Sequence, residues 1–384
     1  MDRVADLTAK ISTRIREKGP LTFKEFMEMA LYDPEGGYYN SPEEKIGFRG
    51  DFYTAPEVHP LFGTMLAKQF AQIWELLGEP PEWCLVEYGG GRGTLARDIL
   101  RALERDHPRA WAAVHYRLIE ISPAMRRRQK ETLAGLPPGK VSWAARLSHP
   151  GEECKRQGVV FGNEFVDALP VHRVRQTSRG LKELYVGWRD GSFVEEEGEP
   201  SDPRIEEYLA ATGVRLLPGQ TAEVNLAARE WLGEVASWLQ KGFLFVIDYG
   251  MPAEELYHPS RFKGTLRCYR RHRMGADPLH APGTQDITSH VDFSALMRWG
   301  EEEGFFVAGY TTQGDFLLNL GILEAIPRPA REFAFDAASL RAAMAVKNLV
   351  LPEGMGQVFK VLALGKGTEK TPLAGFKKKR GLSP

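Results

Sequence analysis

One stretch restricts the fold more than any other. Trp83-Cys84-Leu85-Val86-Glu87-Tyr88 is a short apolar run, Gly89-Gly90-Gly91-Arg92-Gly93 is a glycine-rich turn, and Leu95, Ile99 and Leu103 then recur on one helical face. The run reads as a buried strand and the periodic stretch, 94–103, as an amphipathic helix. Glycines let the backbone turn tightly and approach a ligand closely, and the helix start offers unpaired N–H groups. The pattern repeats downstream: strand 114–121, helix 123–133 opened by Ser122-Pro123, strand 141–143 and strand 158–163. Proline at the first turn after a serine cap is a helix start. This β-α-β-α-β alternation predicts an α/β fold with a doubly wound parallel sheet.

The alternation then breaks. Segments 171–176, 184–188 and 192–195 read as antiparallel strands of an insertion, 223–239 as a helix and 243–248 as a buried strand. Residues 251–288, rich in Pro, Gly, His and Arg, read as a long loop, and a loop of that length is usually functional or disordered. Helix 291–300, strand 305–312, helices near 316–323 and 337–350 and a last strand 357–364 complete the pattern. The first 80 residues read as mostly helical, with aromatic-rich, ordered loops at 32–39 and 47–60. The expected organisation is a helical N-terminal region over 1–80 and a core over 81–365. The core carries insertions at about 170–222 and 251–288, and a flexible basic tail covers 366–384.

Charge excludes some partners. Fifty Lys and Arg face 51 Asp and Glu, so there is no global basic footprint for nucleic acid. No run approaches the roughly 18 apolar residues that span a bilayer, and the first residues lack a signal peptide's apolar centre. Cys84, Cys154 and Cys268 form no zinc spacing. They fit a reducing compartment, with Cys84 as a buried apolar filler. The expectation is a cytoplasmic protein without metal and without membrane insertion.

The glycine turn lacks the Gly-Lys-Ser/Thr of a P-loop and the spacing of a G-x-G-x-x-G fingerprint. Glu120 ends the next strand, 27 residues after Gly93, where a carboxylate can accept both ribose hydroxyls of an adenosine. Dinucleotides and S-adenosylmethionine both suit this geometry. Glu87 favours the second, because an acid at the strand tip balances a cationic methionine group and would oppose a pyrophosphate. The candidate cofactor residues are Glu87, Gly89, Gly91, Gly93, Thr94 and Glu120. Asn163, Glu164 and Asp167 follow the fourth strand, at the crevice where open α/β sheets bind ligands. Asp248 and Tyr249 end the fifth strand, and His280 and His290 are candidate bases.

These residues lie among further motifs: Gly19-Pro20-Leu21-Thr22-Phe23, Tyr32-Asp33-Pro34, Gly50-Asp51-Phe52-Tyr53-Thr54-Ala55-Pro56-Glu57, Asn163-Glu164-Phe165-Val166-Asp167, Asp248-Tyr249-Gly250 and Gly283-Thr284-Gln285-Asp286-Ile287-Thr288. In this set the chain resembles the MidA-type proteins over about residues 19–365. That group of class I S-adenosylmethionine-dependent methyltransferases includes a mitochondrial complex I assembly factor that methylates an arginine. Tyr88 and Gly90 stand where the group usually has an apolar residue and a proline, and Ala55 where it often has serine. The resemblance implies a seven-stranded class I methyltransferase (Rossmann-like) core with a helical N-terminal cap. It implies S-adenosyl-L-methionine as donor, with Asp51, Tyr53 and Thr54 closing over it. It also implies a protein acceptor, an arginine side chain, possessed of a role in respiratory complex assembly in the mitochondrial branch. Glu164, Asp167 and Asn163 are the expected catalytic residues, because carboxylates grip a guanidinium bidentately. Three alternatives stay open at this point: an assembly chaperone that binds S-adenosylmethionine without turnover, a small-molecule methyltransferase, and an NAD-dependent oxidoreductase. Apolar residues in the insertion would allow a homodimer.

Overall fold

The computed structural model describes residues 3–41, 55–147, 156–270, 273–275, 277–327 and 337–377. Seven strands form the central sheet: β1 (Trp83–Tyr88), β2 (Val114–Ile119), β3 (Val141–Ala144), β4 (Gln157–Asn163), β5 (Lys241–Met251), β6 (Phe306–Thr312) and β7 (Phe359–Lys366). Their order is β3-β2-β1-β4-β5-β7-β6, with β7 antiparallel to both neighbours and the first five strands parallel. A two-residue strand, Val291–Asp292, adds in parallel beyond the end of β5. β1 is buried along its whole length, which is why its sequence is apolar up to Glu87 at its tip rather than alternating.

Helices cover both faces. Thr94–Asp106, Leu61–Leu76, Gln313–Asn319 and Ala337–Val350 contribute to one apolar layer, and Leu226–Trp238 and Phe293–Glu302 to the other. The helix Leu61–Leu76 therefore belongs to the core rather than to a cap running to residue 80. Helices Arg3–Lys18 and Phe23–Tyr32 make the actual N-terminal cap, with their own apolar cluster. Thr22 starts the second of these through a reciprocal capping box with Glu25. Leu21 and Thr22 also pair with Val186 and Tyr185, so the cap is stitched to the antiparallel sheet of the first insertion.

Several expectations need correction. Thr221–Val224 is a strand of that sheet, and the helix starts only at Leu226, capped by the Asn225 side chain. A helix at Arg204–Thr212 was not expected. The 251–288 segment is no structureless loop, since it carries a short helix, Ala253–Leu256, and three antiparallel strands, Arg267–Arg270, Arg273–Gly275 and Asp286–Thr288. Val291–Asp292 is strand, and its helix begins at Phe293. The chain does not leave the body at residue 366. Leu373 is fully buried, and the backbone N–H groups of Ala374 and Gly375 donate to Gln72 and Gln69. Cys84 is buried in the apolar layer, and Cys268 is a buried free thiol. No helix among the described residues is long and apolar enough to cross a membrane.

Candidate functional site

The carboxyl ends of β1, β2, β4 and β5 open into one cavity of about 740 Å³. The N-terminal cap and the second insertion roof it with Tyr32, Tyr39, Tyr269 and Asp286.

At one end lies the glycine turn. Gly93 adopts the left-handed region at φ 83° and caps the helix Thr94–Asp106. It turns the chain without lining the cavity, which Gly89, Gly90, Gly91, Arg92 and Thr94 do. A Cβ on Gly90 would lie 2.4 Å from Leu118 and 3.1 Å from the Glu87 carboxylate, so the departure from proline suits a tightly filled turn. Tyr88 is equally well placed: its hydroxyl donates to Glu234 at 3.2 Å and its ring packs beside Phe165 and Trp231.

Glu87 and Glu120 both line this end and are both buried. Tyr116 donates to Glu87 Oε2 at 2.7 Å, yet burial still pushes the Glu87 carboxyl up to about 7. Glu120 accepts from the Ser122 N–H at 2.8 Å and from Gln129 Nε2 at 3.1 Å, and burial raises it too. Thr94 donates its hydroxyl at 2.7 Å to Glu57 of the short helix Ala55–Val58. Asp51, Tyr53 and Thr54 lie outside the described residues.

The other end is built by the turn after β4. Glu164 sits at φ 52°, an uncommon conformation for a residue with a side chain. Asp248 explains how it is held. Its buried Oδ2 accepts from the N–H groups of Phe165, Val166 and Asp167 at 3.2, 2.9 and 3.2 Å, and its Oδ1 from Tyr249 N–H at 2.9 Å. Asp248 is thus an anchor for the turn and does not line the cavity. Glu164 faces the cavity and accepts from Ala55 N–H at 3.1 Å and Asn163 Nδ2 at 3.2 Å. Burial and the neighbouring Asp167 charge push its carboxyl up to about 8. Burial, with Asp248 and Asp286 nearby, raises Asp167 well above the usual carboxylate range, although Tyr249 donates to it.

Tyr249 and His290 also line the cavity, ring against ring at 5.2 Å. Burial lowers His290 to about 4, so it is a neutral wall rather than a poised base. His280 is exposed and outside the cavity. Sequence reading missed Tyr32, Tyr39 and Asp286 as site residues. Tyr39 donates to Asp286 Oδ1 at 2.7 Å, Tyr32 donates to the Ala168 carbonyl at 2.9 Å, and the two rings stack at 5.4 Å. Among the described residues no His, Cys, Asp and Glu group could hold a metal ion.

The donor set fits an adenosine with a cationic tail: a glycine turn at a helix start, an acid at the second strand tip and another at the first. Comparison with known families agrees. Residues 65–311 match the Methyltransf_28 model of S-adenosyl-L-methionine-dependent methyltransferases. The chain belongs to this family. The methyltransferase is also similar, at 36% identity and TM-score 0.87 over 99% of this chain and 96% of the other, to a crystal structure of a Burkholderia thailandensis protein bound to S-adenosyl-homocysteine. S-adenosylmethionine is accordingly its cofactor, and the dinucleotide alternative falls. Among curated proteins, the mitochondrial protein arginine methyltransferase NDUFAF7 of Mus musculus is 29% identical over 94% of this chain and 85% of its own length. The Drosophila melanogaster homologue is 29% identical over 96% and 88%.

Proposed function

We propose that this methyltransferase methylates an arginine side chain of a partner protein. The observation that carries the reading is the convergence of Glu164, Asp167 and Asp286 on one end of the cavity, with Asp286 among the charges that raise the carboxyls of the other two. Such a wall is stabilised by a cation. A guanidinium is always charged, and its planar fork matches carboxylates. The arginine methyltransferase names of the relatives support the same reading. By extension, the acceptor belongs to a respiratory complex under assembly and is met in the cytoplasm.

S-adenosylmethionine supplies an electrophilic methyl group on a sulfonium. Glu87 and Glu120 would hold that molecule, as counter-charge to its methionine part and as ribose acceptor. Glu164 and Asp167 would hold the guanidinium beside it. The nitrogen that takes the methyl must give up one proton, and Glu164, ionised by the cation next to it, would receive that proton. A carboxyl that titrates near neutrality is suited to that transfer. Most of the rate comes from holding the two reactants in line.

The test uses methyl-labelled S-adenosylmethionine and the proteome of a strain lacking this gene. The expected result is methylarginine in one or a few proteins, absent with Glu164→Gln. Label confined to small molecules would overturn the protein acceptor. Tight cofactor binding with no labelled product at all would leave the chaperone alternative.

A further inference from the structure

We infer that Asp286, delivered by the second insertion, makes the acceptor end select a guanidinium, acting with Asp167 and Asn163 from separate elements. The inference rests on the arginine reading above and adds to it a specificity residue.

Asp286 opens the short strand Asp286–Thr288, is 4% exposed and lines the cavity. Its strand neighbour in register is Tyr269, another cavity residue. Tyr39 donates its hydroxyl to Asp286 Oδ1 at 2.7 Å. The Asp286 charge reaches Glu164, Asp167, Tyr32 and Tyr39 and opposes ionisation at each.

An independent observation concerns Asp167 and Asn163 beside it. Asp167 Oδ1 and Asn163 Oδ1 are buried atoms without a hydrogen-bond partner, in residues 4% and 8% exposed that line the same cavity. Buried acceptors left unmade are costly, so they mark where a donor belongs. A guanidinium brings five N–H donors in a fixed plane, whereas an ammonium brings three at a point. The neighbouring rings suit a flat cation as well. Tyr32 and Tyr39 stack on one another, and both hydroxyls are already committed, which fixes the rings in place. Tyr39 also ties the two ends of the cavity together, because its carbonyl accepts from the Ser122 hydroxyl, two residues past Glu120.

The experiment saturates the enzyme with S-adenosylhomocysteine and titrates Nα-acetyl-arginine amide, its neutral analogue Nα-acetyl-citrulline amide, and Nα-acetyl-lysine amide. Wild type should bind the arginine probe in preference to both others. Asp286→Asn should weaken that binding about tenfold or more, as loss of a charged hydrogen-bond partner does. S-adenosylhomocysteine affinity should stay within about twofold, and Tyr39→Phe, which spares the fold, should cost about threefold. Crystals soaked with the arginine probe should show the guanidinium on Asp286 and Asp167. Unchanged arginine affinity in both Asp286→Asn and Tyr39→Phe, with Asp167→Asn defective, overturns the role of Asp286 and leaves the arginine reading intact. A wild-type enzyme that does not prefer arginine to citrulline overturns the reading beneath it.

Discussion

At the cofactor end of the cavity each acid has its partners in place: Tyr116 serves Glu87, and Ser122 and Gln129 serve Glu120. These partners come from the parallel sheet and its helices. At the acceptor end Glu164, Asp167 and Asp286 come from a turn and an insertion and raise one another's charge cost, and Asp167 and Asn163 each keep a buried oxygen without a hydrogen-bond partner. The first end is preorganised by the fold. The second keeps open acceptors at Asp167 and Asn163, so selectivity is stored there as an unmet demand for donors.

Five tests, by substitution or titration, sharpen that contrast. The largest effect is expected for Glu164→Gln, which should lower the transfer rate about a hundredfold or more, the usual range for a lost acid–base group. S-adenosylhomocysteine affinity, read by calorimetry, should stay as in wild type, and a parallel loss would dissolve the distinction between the two ends. Glu120→Ala should do the reverse. Removing a charged acceptor costs about 1.5–3 kcal/mol, or roughly ten- to a hundredfold in affinity, with the rate at saturating cofactor largely kept.

Asp248→Ala should destabilise the fold by about 3 kcal/mol or more, since it strands several buried N–H groups at about 1–3 kcal/mol each. Denaturant unfolding measures this, and a change under about 1 kcal/mol would show that the turn holds Glu164 without its anchor.

The smallest effect concerns pH. In the unfolded chain Glu164 loses its proton near 4.5, but in the cavity it keeps the proton to about 8. Glu87 behaves alike up to about 7 and Asp248 up to about 8. Between these limits the unfolded chain holds fewer protons, so stability without ligand should fall as pH rises from about 5 to 8. Thermal melts of wild type and Glu164→Gln across that window test the sign, the variant giving the shallower slope. Cofactor affinity should rise as pH passes about 7, because Glu87 meets a cationic group only as a carboxylate, and Glu87→Gln should flatten that rise.

The preorganised end was legible in the sequence because its parts are contiguous. Strand, glycine turn, helix and strand follow one another, and Glu87 and Glu120 mark the strand tips. The acceptor end was legible only where it borders a strand, at Asn163, Glu164 and Asp167. Tyr39 and Asp286 meet across 247 positions, and no local period foretells that. The three strands between 267 and 288 have four residues or fewer, too few for an alternation to show against Gly and Pro. Thr221–Val224 was absorbed into a helix because its four residues run directly into the Asn225 cap. In the sequence Asp248 is simply an acid at a strand end. Only the folded turn reveals that its oxygens are spent on backbone N–H groups.

The order of the sheet has a consequence for how the enzyme comes into being. β7, the last of the seven strands in chain order, lies between β5 and β6, and Gly375 closes onto Gln69 of a helix made early. A nascent chain can assemble the cofactor half while still being translated, but the gap in the sheet cannot be filled until β7 has been made. Closing the sheet is therefore a late, long-range step that waits on a strand remote in sequence from the cofactor half.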